Sequence, residues 1–363
     1  MYKKQIKIFK LMKYFLSPKF IKIKRKIILN ARKLKHNKLA SNILLNYLIF
    51  LYLKAEKFIH ENNTKDPNKF LLKEIIQIDE LVQSLKTFRD FSDKSKASLH
   101  TFSRENTHQN LFNSLWVNYS LNEYKKERLG RYIHRIKINN LKNLIENKKI
   151  VDFGCGHGNF LMTCALFNAK ECTGIDFGPD SIKFANRVKR KLFSKKLKTK
   201  LNFFERSVYK TKLKSNYYDF AIQNGVFHHL DNEKKAYKEV HRVLKKGGYF
   251  WAYTVGGGGL KDFLALLIQE IFKNVSNDYK IEFIRSLGLS TNKEYYIGDA
   301  IGAKYRFTSF KKFKNRIEKM GFKFITQLNG GAKTDFDYPH KKTKFFRKKF
   351  GEGDLRLLFK KII

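Results

Sequence analysis

Hydrophobic positions recur at helical spacing in the first ninety residues and gather into short strand-like runs after that. Tyr2, Ile6, Phe9, Met12 and Leu16 share one helical face, Lys3, Lys7, Lys10 and Lys13 line the neighbouring one, and Pro18 would end that helix. Leu39 to Leu53 carries no charge. Its fifteen residues include Asn42 and Asn46, whereas a membrane span needs about twenty apolar ones, so a buried helix is expected. Residues 69–88 are amphipathic through Phe70, Leu71, Ile75, Ile78 and Leu81, and the polar stretch 90–110 reads as a linker or exposed loop. Strands are then expected up to Asp152 and over Glu171–Asp176, Leu201–Glu205 and Tyr217–Gln223. Amphipathic helices are expected over 234–245 and from Phe310 towards Phe322.

Chemistry enters at residues 150–160. Apolar residues run into Asp152, and Gly154, Gly156 and Gly158 follow at alternate positions. The spacing predicts a buried strand, a tight turn against a ligand, and a helix whose first N–H groups face that turn. A dinucleotide fold would place its third glycine three residues after the second, and that position is Asn159. Asp176 ends the next strand about twenty residues on, where a carboxylate can accept both ribose hydroxyls of an adenosine. Pro179, Asp180 and Ser181 then suit a helix start.

The Asp-x-Gly-x-Gly-x-Gly segment resembles motif I of the class I S-adenosylmethionine-dependent methyltransferases. Similarity continues in Asn224-Gly225-Val226-Phe227-His228-His229-Leu230 after strand four. It extends to the Leu244-Lys245-Lys246-Gly247-Gly248 turn into strand five and to the Gly321-Phe322 end of the last amphipathic helix. It covers about residues 118–363. It implies an α/β fold, a Rossmann-like seven-stranded sheet with the last strand, Leu355–Lys360, antiparallel, preceded by an α-helical N-terminal region. The implied domains are a basic helical region over 1–115 and a methyltransferase domain over 116–363, with a substrate-lid insertion at about 256–307. S-adenosyl-L-methionine is the implied cofactor, held by Asp152, Gly154, Gly156, Gly158, Asp176, Phe177 against the adenine, and Asn224. Many family members carry an acid after strand three; here that position is Ser207, whose hydroxyl could accept a hydrogen bond while the Val208 backbone reaches the adenine. His228 and His229 are the candidate general bases if the acceptor is a hydroxyl, the alternative being that one caps or packs the next helix.

Charge adds a partner question. Lys and Arg number 76 against 32 Asp and Glu, a net +44, and the first 55 residues contain no acid. An anionic partner would explain this. So would a codon bias that favours Lys, Ile, Asn, Phe and Tyr. Residues 1–17 could lie in an anionic membrane surface or pack on their own domain. Cys155, Cys164 and Cys172 lack metal-ligand spacing and read as small buried residues of a reducing, cytoplasmic setting; no metal is expected. No small-residue cleavage site follows the first helix, so a secretory signal is not expected.

Acceptor-facing segments are expected beyond the carboxyl ends of the strands: Asn224–Leu230, Gly256–Gly259, and the connection Leu260–Phe307 with Tyr295 and Tyr296. The glycine run could hinge a lid or be a flexible turn. Asp335 and Asp337 flank Phe336 in the loop 329–338, as a cation site or a solvated turn. A small-molecule, sugar or lipid-headgroup acceptor is the first reading. Against nucleic acid stands Gln223-Asn224-Gly225-Val226, where base-amine methyltransferases resemble Asn/Asp-Pro-Pro-aromatic. A non-catalytic, cofactor-binding assembly partner is the third.

Overall fold

A computed structural model describes residues 18–34, 37–61, 64–86, 120–193, 199–331 and 344–363. The amphipathic pattern over 1–17, the polar stretch 90–110 and the Asp335–Phe336–Asp337 group lie outside these residues. By contact the described chain divides into two units, one from 120–256, 304–331 and 354–363, the other from 18–86, 257–303 and 344–353.

The first unit is built on a seven-stranded sheet: β1 (Lys149–Phe153), β2 (Glu171–Asp176), β3 (Lys200–Glu205), β4 (Tyr218–Asn224), β5 (Leu244–Val255), β6 (Phe322–Gln327) and β7 (Asp354–Lys361). Their order is β3-β2-β1-β4-β5-β7-β6, and only β7 runs antiparallel to its neighbours. The central strands are buried on both faces and so lack polar alternation. In β1, Ile150 packs on one side with Phe160 and Trp251, and Val151 and Phe153 pack on the other with Phe227 and Phe250. Trp251 is fully buried and meets the Phe160 ring edge-on at 5.2 Å. Truncating such a side chain to alanine typically costs about 3–5 kcal/mol.

Local signals set most helix ends here. The helical segment before β1, α4, runs through Leu121–Glu123, a π-helical Tyr124–Leu129 and Gly130–Ile138, and starts with a Ser120–Glu123 capping box. α5 (Asn159–Leu166) follows the glycine turn, and α6 (Pro179–Phe193) has Pro179 first and Asp180 in its first turn. Asn232 caps α7 (Glu233–Val243) by accepting from the Lys235 N–H, and Ser309 caps α11 (Phe310–Glu318). α11 stops at Glu318 because Gly321 turns the chain with φ +89°. β4 ends one residue later than its hydrophobic run, at Asn224. β5 starts at Leu244, so the Lys-Lys-Gly-Gly segment is irregular strand and not a turn.

The second unit is helical: α1 (Pro18–Lys33), α2 (Lys38–Glu61), α3 (Pro67–Lys86), α8 (Leu260–Ile271), α9 (Asn277–Ser286), α10 (Thr291–Gly302) and the short α12 (Phe346–Phe350). The charge-free run forms most of α2, which buries Leu44, Leu48, Tyr52 and Ala55, and α3 is antiparallel to it through a Phe58–Phe70 stack and Lys54–Glu74. Among the described residues no helix is long and apolar enough to cross a membrane. α8 packs its apolar face on α2 and brings Lys261 into the interior, 3.7 Å from Glu56 and 3.7 Å above the Tyr296 ring. The sequence boundary near 115 follows the chain, whereas the contacts place residues 257–303 with the N-terminal helices. The glycine run is closely packed: a Cβ on Gly259 would lie 2.4 Å from the Lys349 carbonyl oxygen, and Gly257 accepts from the Glu352 N–H at 2.9 Å.

Candidate active site

The carboxyl ends of β1, β2 and β4 meet where the strand order reverses between β1 and β4, the position at which open parallel sheets bind ligands. Gly154, Gly156 and Gly158 all have left-handed φ, at +77°, +50° and +74°. Their surroundings differ. A Cβ on Gly154 would strike Val226 at 2.5 Å and one on Gly158 would strike Phe203 at 2.5 Å, whereas one on Gly156 would enter open space. The first and third glycines therefore serve packing, and the second borders a cradle. α5 begins directly after this turn, so its free N–H groups face the cradle.

Two carboxylates stand beside it. Asp152 is buried, and its Oδ1 has no hydrogen-bond partner. Burial, with the Asp176 charge adding to it, raises the Asp152 carboxyl well above the ordinary range. A buried carboxyl with an orphaned oxygen suits a ligand that brings its own cation or donor. Asp176 is also raised by burial, opposed by the N–H groups of Gly178 and Gly156, each 2.8 Å from one of its oxygens. This acid fixes the shape of the glycine turn, and its remaining lone pairs stay available for hydroxyl donors. The residues fit an amino-acid-bearing adenosine: an acid for an ammonium, an acid for a ribose, and an open glycine edge between them.

At the end of β4, Asn224 donates to the Tyr132 hydroxyl at 3.0 Å while its Oδ1 is buried and unpartnered, and Gln223 accepts from the Tyr253 N–H at 3.1 Å. His228 and His229 follow in a short 3-10 turn, both buried, with ring centres 4.1 Å apart. His229 Nδ1 lies 3.1 Å from the Lys304 carbonyl oxygen, a contact in which that nitrogen is the donor. Tyr305 stacks on His228 at 5.5 Å and lies tilted against His229 at 4.8 Å. His228 also faces Tyr253 at 6.2 Å.

The structure brings Asp152, the three glycines, Asp176 and Asn224 to one sheet edge, with half-buried Phe177 directly after Asp176. Ser207 is exposed, and its hydroxyl accepts from the Tyr209 N–H at 3.2 Å. Val208 buries its side chain with Ile175 and Phe153. Sequence reasoning did not select His157, Tyr124 or Tyr132. His157 stacks on Phe184 at 4.1 Å, and its carbonyl accepts the Tyr124 hydroxyl at 2.9 Å. Burial first, then the Arg128 and Arg187 charges, lowers His157 to about 3, so it is neutral at physiological pH. Its place inside the glycine motif was a usable signal. Nothing local marked Tyr132, which reaches Asn224 across ninety-two positions of chain.

Residues 144–299 match the family described as "Methyltransferase domain". Sterol methyltransferase-like 3 of Botryococcus braunii is 32% identical over 128 residues, 34% of this chain and 31% of that protein. An uncharacterized protein of Methanocaldococcus jannaschii is 28% identical over 185 residues, 51% of this chain and 65% of that one. The solved magnesium protoporphyrin IX methyltransferase of Synechocystis, with SAH bound, is 12% identical with a TM-score of 0.38, covering 74% of this chain and 90% of that one. The matched stretch spans about a third of the length of the sterol methyltransferase relatives.

Proposed function

The chain belongs, through residues 144–299, to the class I S-adenosylmethionine-dependent methyltransferase family, and from that premise we propose that it transfers a methyl group to a small-molecule, sugar or lipid-headgroup acceptor. The observation that carries this reading is the open edge at Gly156 set between orphaned Asp152 and Asp176. Its cofactor, S-adenosyl-L-methionine, supplies an electrophilic methyl on a sulfonium. The protein's task is then alignment: Asp152 holds the ammonium, Asp176 the ribose hydroxyls, Phe177 the adenine, and Asn224 the border with the acceptor. Ser207 and the Val208 backbone are assigned the adenine amino side. We assign His228 to the acceptor side, because it faces Tyr253 at the β5 end, while His229 positions the Lys304 segment. The sterol methyltransferase names among the relatives support an apolar small-molecule acceptor. Residues 116–363 are assigned as the catalytic domain, and 256–307 as the segment that selects the acceptor.

The test is calorimetric titration with S-adenosylmethionine, followed by a tritiated-methyl screen of extracted metabolites, lipids and RNA. Label entering only RNA would replace the small-molecule reading with nucleic-acid methylation. Binding without label transfer to any fraction would favour the assembly-partner reading. The free Cys155, Cys164 and Cys172 support a reducing, cytoplasmic setting, and the basic N-terminal sequence supports peripheral contact with anionic membrane. Flotation with anionic vesicles at low salt tests this: Phe9→Ser with Leu16→Ser should abolish vesicle binding, and indifference of the full chain to vesicles would reject it.

A further inference from the structure

A crevice of about 570 Å³ opens in the sheet-containing unit between the first turn of α7 and one face of α11. On the α11 side Lys312, Arg316 and Lys319 lie three and four positions apart, the spacing that brings helix residues onto one face. Arg306 and Lys234 line the opposite side. Five of its ten lining residues are Lys or Arg, more than twice the share of 76 in 363 for the whole chain, so the charge is concentrated beyond the general excess.

Its arginines are also held in place. Glu233 Oε1 pairs with Arg306 at 3.2 Å and with Arg316, one carboxylate shared by two guanidiniums. Arg306 Nη2 further donates to the carbonyls of Leu230 and Asp231, at 3.3 and 3.2 Å, and Arg316 Nη2 to the Thr308 hydroxyl at 3.1 Å. One carboxylate cannot neutralise two guanidiniums. Counting Asp231 as well, the lining keeps a formal excess of three positive charges. Guanidiniums with fixed geometry and flexible ammonium groups around them suit phosphoryl oxygens.

We propose that this crevice is an anion site for a ligand bearing linked phosphoryl groups, either a free diphosphate or a phosphorylated headgroup. Arg306 ties it to the β4 turn, because its backbone N–H donates to the His228 carbonyl at 3.1 Å. Occupancy would brace the turn that carries His228 and His229. Phosphate binding is read without the cofactor, so its failure is separable from failure of the methyl-transfer assignment.

The experiment is calorimetry of inorganic pyrophosphate on the full chain at about 0.15 M salt, where diffuse surface attraction is screened beyond about 8 Å. Wild-type protein should bind. Lys312→Glu with Lys319→Glu should weaken binding at least about tenfold, or roughly 1.4 kcal/mol. Lys22→Glu with Lys33→Glu on α1, the same change in net charge, should leave the affinity within about twofold. Thermal melts of both pairs show that each variant is folded. Flotation of Phe9→Ser with Leu16→Ser protein on phosphatidylcholine vesicles doped with a lipid diphosphate separates the sources: flotation that is lost on adding the crevice substitutions identifies a lipid headgroup, and no flotation beside intact pyrophosphate binding identifies a soluble phosphate. Equal weakening in the two paired variants, or no binding by the wild type, overturns the proposal.

Discussion

The Asp176 carboxylate accepts the Gly156 backbone N–H at 2.8 Å, so the acid at the end of β2 shapes the glycine turn at the end of β1. Removing the acid therefore loosens the cradle as well as the ribose contact. Asp176→Ala should weaken cofactor binding by about 1.5–3 kcal/mol, the range of a hydrogen bond to a charged group. It should also lower the melting temperature of the cofactor-free protein. Calorimetry and a thermal melt read the two losses, and unchanged cofactor affinity would sink the assignment.

Gly156→Ala and Gly154→Ala separate ligand space from packing. Alanine at 156 meets no neighbour but must adopt a left-handed φ, which costs about 1–2 kcal/mol. Its methyl projects into the cradle, so cofactor affinity should fall at least about tenfold in a folded protein. Alanine at 154 adds a collision with Val226 and should destabilise more. Chemical denaturation beside calorimetry checks the ranking; a more stable Gly154→Ala would contradict the packing account.

His157 makes the fold acid-sensitive. Its folded value of about 3 lies below the ordinary 6.5, so between these pH values the unfolded chain binds the proton that the folded chain refuses. Stability contributed by the neutral ring is full above about 6.5 and is lost as pH falls towards 3. The loss amounts to up to about 1.4 kcal/mol per pH unit. His157→Phe keeps a ring against Phe184 and should flatten the acid limb of a stability-versus-pH curve. An identical slope in the variant would exclude His157 as its source.

Tyr296 is a packing residue of the helical unit. Its ring lies 3.7 Å from the buried Lys261 Nζ and 5.7 Å from the Tyr52 ring. Tyr296→Ala should destabilise the protein by about 1–3 kcal/mol, since truncating a half-buried aromatic loses part of its burial together with the cation–π contact. Tyr296→Phe should retain most stability, because the Tyr296 hydroxyl has no hydrogen-bond partner. Denaturant midpoints decide; a melting profile unchanged by Tyr296→Ala would return the residue to acceptor recognition alone.

For the histidine pair, His228→Ala should lower kcat about a hundredfold or more if the acceptor is a hydroxyl, as loss of a general base does. Cofactor affinity should stay within about twofold. His229→Ala should instead lower stability, by releasing the Lys304 carbonyl and the Tyr305 ring. A pH–rate profile keeping its rising limb in His228→Ala would remove His228 from proton transfer.

Hydrophobic runs and turn residues were enough to locate the end of β1 and the whole of β2 within a residue, because each is a local pattern of burial punctuated by glycine, proline or an acid. The glycine spacing and Asp176 were legible for the same reason, since a turn and a strand end are written in adjacent residues. Other features depended on distant partners. Periodicity shows that Leu260–Ile271 buries one face. It does not show that this helix packs on α2, with Lys261 over the Tyr52 ring. Nor does it show that Tyr132 reaches Asn224, that His157 lies flat on Phe184, or that the Ser207 hydroxyl accepts from the Tyr209 N–H of its own loop. Local sequence determines which atoms must leave water. Tertiary structure alone decides which atoms receive them, because that choice is made by packing between residues the chain does not place side by side.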